Sequence, residues 1–413
     1  MQAPEADLTQ CVRCGLCLQH CPTYVETGLE TESPRGRLYI MQALSDGIIE
    51  PTASVIGHLD MCLQCRNCEA VCPSGVPFGS IMEAARRDVL ESPKAPASWK
   101  LRSLFLREVV AKPGRLELLS RALRFSEQTG LRALTEHLPL IGPRATLAPR
   151  FASPPFKRAG LLTVPDAEIR ARVALLTGCL MPLSFGDVHR ATVRVLARNG
   201  CVVSASRDQV CCGALHAHNG DLVTARKLAR RNVDAFEAAG MDTIIVNSAG
   251  CGAAMKEYGE LLADDPKYRT RAERLSAAVK DISEFLVSLP LVKPPGRVSA
   301  SVTYQDSCHL AHAQRITAAP RQILKAIPGV TLVEMRRPDR CCGSAGVYSL
   351  TQPEMSLSLL KAKMGDISAT NAAYIATSNP GCIAQLDAGV RMIGSRARAV
   401  HVIELLDRSY RLS

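Results

Sequence analysis

From Val173 onward, short apolar runs alternate with longer stretches whose apolar residues recur every third or fourth position. Val173–Thr177, Val202–Ala205, Thr243–Asn247, Ala300–Tyr304, Val330–Glu334 and Ala373–Thr377 read as strands. Asp221–Ala239, with Leu222, Ala225, Ala229, Val233 and Phe236 on one face, reads as a helix between them. Alternating β and α segments predict a parallel sheet. Before Val173 only the helical period is present. Pro34-Arg-Gly36 reads as a chain break, followed by an apolar-periodic helix to Leu44, and further helices are expected over Thr52–Asp60 and Phe78–Leu90. Between Pro93 and Pro165, Leu101, Leu104, Phe105 and Val109, then Leu116, Leu119 and Leu123, then Leu131, Leu134 and Leu138 keep helical spacing. No apolar run approaches the roughly 18 residues of a membrane span.

The strand–helix pattern occurs twice, with a period of about 130 residues. Cys179, Cys211-Cys212-Gly213 and Ser248-Ala-Gly-Cys251 in the first copy match Cys308, Cys341-Cys342-Gly343 and Asn379-Pro-Gly-Cys382 in the second, at offsets of 129, 130 and 131. Each motif Cys follows a strand. Ligands gather outside the carboxyl ends of strands in open parallel sheets, so four thiols per copy are expected to converge on one edge. They suit an iron–sulfur cluster, a zinc ion or a redox-active thiol pair. Neighbouring Cys side chains tend to diverge, which favours an unusual cluster or one ligand per pair. Gly213 and Gly343 suit a turn passing close to a cofactor. His309 and His312 are hydrogen-bond donors, metal ligands or structural residues, and Cys201, outside the repeat, reads as core.

A different cysteine pattern lies near the start. Cys11, Cys14, Cys17 and Cys21-Pro22, and again Cys62, Cys65, Cys68 and Cys72-Pro73, spell C-x2-C-x2-C-x3-C-P. Such runs hold [4Fe–4S] clusters, the fourth Cys of each serving the other cluster in two-cluster proteins. One cluster is therefore assigned to Cys11, Cys14, Cys17 and Cys72, and the other to Cys62, Cys65, Cys68 and Cys21. Zinc knuckles show two separated Cys pairs instead. Arg35 and Arg37, in the stretch between the runs, face a cluster, a partner or solvent.

Composition narrows the class. With 47% hydrophobic and 22% charged residues the chain has globular composition. Its 17 Cys are too clustered, in too long a chain, for a secreted disulfide scaffold, and cluster ligands must stay reduced, so a cytosolic setting is expected. Met1–Asp7 has neither the basic start nor the apolar core of a signal peptide. Of the net charge of +11, residues 99–150 carry +6, ten Lys or Arg against four Glu. No nucleic-acid motif accompanies it, and 4% aromatics make a poor stacking platform. An acidic lipid surface or acidic partner fits better than nucleic acid, although for these helices packing on the protein's own core is the commoner explanation.

The predicted fold class is α+β multidomain: a helical two-cluster ferredoxin module over 1–92, a basic helical connector over 93–170, and two duplicated α/β Cys-Cys-Gly half-domains over 171–295 and 296–413. This arrangement resembles the iron–sulfur subunit family of glycolate oxidase (glycolate dehydrogenase), glycerol-3-phosphate dehydrogenase, lactate-utilisation and heterodisulfide reductase proteins. The likeness rests on both Cys runs, Ser33-Pro-Arg-Gly-Arg37 and both Cys-Cys-Gly repeats. The stretches Ser248–Tyr258, Asn379–Ile383 and His401–Leu405 are similar to the glycolate branch.

The resemblance implies an electron-transfer subunit served by FAD-containing dehydrogenase subunits that oxidise glycolate to glyoxylate. It also implies a quinone or membrane acceptor and a peripheral place on the cytoplasmic face of the inner membrane. It makes Cys179, Cys211, Cys212, Cys251, Cys308, Cys341, Cys342 and Cys382 ligands of a further cluster or zinc. Heterodisulfide-reductase domains use a fifth Cys where this chain has Ser248 and Asn379, which counts against their chemistry here. No G-x-G-x-x-G fingerprint and no base-and-arginine pair for a 2-hydroxy acid is found, so this chain alone is expected to oxidise no substrate. The alternatives are a related lactate or glycerol-3-phosphate dehydrogenase subunit, or a standalone thiol/disulfide reductase.

Overall fold

The computed structural model describes residues 5–412 except 137, 139, 140, 152, 158, 159, 166, 167 and 241, with backbone only at 5 and 6; the first four residues of the signal-peptide reading lie outside the described residues. Two sheets organise the chain. The first runs β1 (Leu161–Thr163), β3 (Cys201–Ser204), β2 (Ala171–Leu175), β4 (Thr243–Val246), β5 (Val279–Asp281) across its width. The second runs β7 (Val330–Leu332), β6 (Ala300–Tyr304), β8 (Tyr374–Thr377), β9 (Arg398–His401). Pairings are parallel throughout except β1 on β3, which is antiparallel. The connector, expected to be helical, thus ends as an edge strand.

The two repeats pack reciprocally. Helix Gly186–Arg198 of the first lies against the last helix, Val402–Arg411, and helix Ile282–Ser288 lies against Ala318–Ala326 of the second. Val173, Leu175 and Ile245 from one sheet share a core with Val302, Tyr304 and Ala376 from the other. Cys201 is part of that core.

Residues 5–92 are mainly helical. Pro34-Arg-Gly36 does not break the chain: it is the first turn of helix Pro34–Ser45, with Pro34 at the position that needs no N–H and the Ser33 hydroxyl capping Gly36 N at 2.9 Å. A Cβ on Gly36 would lie 1.9 Å from the Glu30 carbonyl, so only glycine lets the two segments approach. Helices Ala53–Asp60 and Phe78–Glu91 join it around Met41, Leu59, Ile81 and Met82, and Trp99 from the connector closes this core. Connector helices Ala97–Phe105, Leu106–Val110, Pro113–Gln128 and Leu131–Glu136 bury Leu106, Val110 and Leu116, yet leave Leu101, Leu104, Leu118, Phe125 and Leu134 more than half exposed.

Candidate redox sites

All 17 cysteines are free thiols. In the first run Arg13 and Gly15, and in the second Gln64 and Arg66, have φ between 56° and 81°, flanking the middle cysteines Cys14 and Cys65. Three of these four are not glycine, and a side chain in the left-handed region costs about 1–2 kcal/mol. Such alternation turns successive N–H groups inward, forming the concave nest that receives anionic groups, iron–sulfur clusters among them. Gln64 N already donates to Cys62 Sγ at 3.4 Å. The loops thus fit a thiolate-bound cluster by backbone shape as well as by donor type.

The runs also cross over. Cys21 stands with Cys62, Cys65 and Cys68: burial, then the nearness of these thiols to one another, pushes the Cys68 thiol well up. At the other end, Gln10 Nε2 donates to Ser74 O at 2.7 Å, tying the chain beside Cys11 to the chain beyond Cys72. Cys14 is exposed, whereas burial pushes the Cys17 thiol up to about 11. Both arginines between the runs turn towards the loops. Arg35 pairs with Glu30 and donates to Arg13 O at 3.2 Å. Arg37 is fully buried, paired with Glu32, and its Nη1 lies 4.0 Å from Cys21 Sγ.

In each repeat the four thiols converge at the carboxyl edge of the sheet. Cys211 accepts hydrogen bonds from the Cys179 and Cys212 thiols and is held well below the ordinary thiol value, while Cys179 and Cys212 are pushed up. Cys212 in turn reaches Cys251. Cys341 stands in the same relation to Cys308 and Cys342, and Cys342 to Cys382. Neighbouring Cys side chains therefore do not diverge out of the site, because each takes a different partner within it. Among the described residues no three His, Cys, Asp or Glu side chains form a single-ion site.

Gly213 and Gly343, at φ +89° and +87°, allow the Cys-Cys turn to press on a helix: a Cβ would meet Ala225 O at 3.3 Å and Ser356 O at 2.6 Å respectively. Gly343 N donates to Cys341 Sγ at 3.4 Å. His309 stacks on His218 of the other repeat, ring centroids 5.1 Å apart, and burial, then His218, keeps it neutral. His312 donates to Asp339 O at 3.4 Å.

The ferredoxin-like segment lies across both repeats. Arg66 pairs with Glu257, and Arg86 donates to His218 O at 2.7 Å, on the first. Tyr348 donates to Met61 O at 3.0 Å on the second. The thiol sets are covered differently: Cys308 and Cys341 pack with Leu63 and Cys65 of the second run, whereas Cys211 and Cys212 pack with Ala111 of the connector. Burial, then Cys341, pushes Cys65 well up. These contacts join loops far apart in sequence, and no spacing rule exposes them. Lys363, buried beside the second set, did leave a signal: it is a lone cation in the apolar stripe Leu359, Leu360, Met364, Ile367.

Residues 7–76 match the 4Fe-4S dicluster domain family, and residues 173–256 and 302–387 each match the cysteine-rich domain family. The probable glycolate oxidase iron-sulfur subunit of Bacillus subtilis is 39% identical over 97% of this chain and 94% of its own length. The glycolate oxidase iron-sulfur subunit of Escherichia coli is 34% identical over 99% and 96%. Lactate utilization protein A of Shouchella clausii, 31% identical, matches 57% of this chain and 98% of its own. A crystal structure of a hypothetical protein from Helicobacter pylori shares the fold over 99% of this chain and 73% of that one, with a TM-score of 0.60 at 8% identity. Likeness at these identities along nearly the whole length places the chain in the family of glycolate oxidase iron–sulfur subunits.

Proposed function

We propose that this chain relays electrons within a glycolate-oxidising complex. Glycolate loses two electrons and two protons in becoming glyoxylate; an FAD-containing partner subunit takes the pair, and this chain passes them on singly towards a quinone. Cys11, Cys14, Cys17 and Cys72 hold one [4Fe–4S] cluster, and Cys62, Cys65, Cys68 and Cys21 the other, each supplying a one-electron carrier. The observation that carries this reading is the same left-handed geometry on both sides of Cys14 and again of Cys65, which turns backbone N–H groups inward around each run. The protein's own groups set the surroundings: Arg37 places a buried positive charge by Cys21, and the Gln64 N–H lends a hydrogen bond to Cys62 Sγ.

The repeat thiols hold a further iron–sulfur group. Ser248 and Asn379 stand where a fifth thiol would be needed for heterodisulfide-type ligation, which favours relay over disulfide reduction. The exposed leucines and Phe125 of the connector, interleaved with Lys100, Arg115 and Arg121, support a peripheral seat on an anionic membrane. No helix among the described residues is long and apolar enough to cross one.

Anaerobic iron analysis with EPR, on wild type and a Cys212→Ser, Cys342→Ser double variant, tests the assignment. Two clusters give about eight irons. More than eight in wild type, falling in the variant, is the expected result; fewer than eight after reconstitution overturns the two-cluster reading. Glycolate-dependent reduction of a quinone analogue should need both this chain and the flavoprotein and should be lost in Cys14→Ser.

A further inference from the structure

The helices covering the two Cys-Cys-Gly sites differ in one buried charge; His216, buried beside Cys211 in the first, already faces the Asp221 carboxylate at 3.5 Å. Gly213 presses on Ala225 and Gly343 on Ser356, so the covering helices Leu222–Ala239 and Pro353–Ser368 correspond at an offset of 131. That register sets Leu228 and Val233 opposite Leu359 and Met364, and Asn232 opposite Lys363. Both polar residues are fully buried. Asn232 serves the backbone and a phenol: it accepts from Val210 N at 2.9 Å and donates to Cys211 O at 3.1 Å and Tyr258 Oη at 3.0 Å.

Lys363 Nζ donates to Arg337 O at 2.6 Å and Pro338 O at 3.2 Å, both neutral acceptors in the loop leading to Cys341. The nearby carboxylate Asp366 is engaged by Arg337 at 3.3 Å. A buried ammonium without a close carboxylate needs another anion. Burial pulls the Lys363 ammonium below its ordinary value, and the charges opposing that fall are first Cys342, Cys308 and Cys341, ahead of Asp366. Its helix neighbours Leu360 and Met364 belong to the same buried cluster as Cys342 and Cys382.

We infer that Lys363 is a built-in counter-charge making the second Cys-Cys-Gly site a stronger electron acceptor than the first. The inference rests on the reading that both repeats hold an iron–sulfur group. Reduction adds one electron, with no bond made or broken, to a group already negative through its thiolates. A buried cation stabilises the reduced form more than the oxidised one and raises the potential. Asn232 gives the first site no such term. The favoured site is also the one packed against Cys65, so the charge lies where the second ferredoxin-like run can deliver an electron.

The test is an EPR-monitored redox titration of the reconstituted full chain with dithionite and mediators, independent of any glycolate activity. Lys363→Gln, which keeps a donor and removes the charge, should move one midpoint to lower potential and leave the others in place. Lys363→Arg should restore it. Asn232→Lys should raise a different midpoint, and it carries the test alone if the Lys363 variants do not fold. Unmoved midpoints at full iron content overturn the inference, as does an Arg variant shifted as far as the Gln variant, which would indicate packing. Wild type holding only two cubes' worth of iron, about eight, would instead remove the reading beneath it, a result distinguishable by iron content.

Discussion

Ser248 and Asn379 occupy matching places in the two repeats, and they touch: Ser248 Oγ donates to Asn379 Oδ1 at 3.4 Å. The same oxygen accepts from Gly250 N at 3.4 Å, while Asn379 Nδ2 donates to Cys382 Sγ at 3.6 Å. These two matching positions, one after β4 and one after β8, therefore form part of the joint between repeats. Asn379→Ala should cost about 1–2 kcal/mol through the orphaned Gly250 N–H and Ser248 hydroxyl. Ser248→Ala should cost less, and the double variant should fall short of the sum, because the pair interacts directly. Urea unfolding of the four proteins checks this; strict additivity would mean that the two side chains do not communicate.

The glycines after the Cys pairs share a backbone angle but not a neighbourhood. Gly213→Ala meets its nearest atom at 3.3 Å, so its cost should be mainly that of the left-handed backbone, about 1–2 kcal/mol. Gly343→Ala drives a Cβ to 2.6 Å from the Ser356 carbonyl and must also shift the covering helix. It should be the more destabilising and should lower iron retention in the second repeat. Equal unfolding midpoints for the two variants would contradict this.

Much of the repeat architecture was legible because the chain states it twice. Six strands follow from apolar runs that recur at matching places, and thiol convergence follows from each Cys standing just after a strand. β5 (Val-Lys-Asp) and β9 (Arg-Ala-Val-His) carry no apolar run, but each leads into a capping box: Asp281 with Glu284, and His401 with Glu404. That pattern was available and marks both helix starts. β1 pairs antiparallel with β3, a choice made by tertiary packing and not by its own three residues. Pro34 opens its helix instead of breaking the chain, and proline ends helices more visibly in a sequence than it begins them. What lay beyond reach was the meeting of Cys65 with Cys341, since cross-loop contacts have no sequence period.

Arg86 holds the cluster module to the first repeat. Buried in helix Phe78–Glu91, it donates to Leu59 O at 2.8 Å, Cys62 O at 2.7 Å and His218 O at 2.7 Å. Gly220 lets the backbones close on it, since a Cβ there would stand 2.5 Å from Arg86 O. Arg86→Met fills the space without donors and leaves these carbonyls, with the more distant Asp60 O, short of a donor, a loss on the order of 3 kcal/mol. Thermal unfolding should drop, and limited proteolysis should release the first 90 or so residues more readily. Unchanged cleavage would show that Arg66 and Tyr348 suffice for docking.

The two capping boxes carry opposite titrations. Burial pulls His401 from its ordinary 6.5 down to about 4, against a hydrogen bond to Asn247 O; burial raises Asp281 from 3.8 to about 6, against hydrogen bonds at Ser283 and Glu284. Above pH 6.5 His401 is neutral folded or unfolded. As pH falls towards 4 the unfolded chain takes a proton that the folded chain refuses, so stability drops by about 3 kcal/mol and then levels. Asp281 acts the other way: as pH rises from 3.8 to 6 the unfolded chain ionises while the folded chain keeps its proton, a comparable loss that is complete above 6. Between pH 4 and 6 the two partly cancel. His401→Asn retains a capping oxygen and removes the first effect, so wild type should lose stability relative to it as pH falls through that window. Against Asp281→Asn, wild type should gain. Denaturant titrations from pH 4 to 7.5, taken as differences from wild type, isolate each residue; a flat difference for either would mean that its burial does not hold in solution.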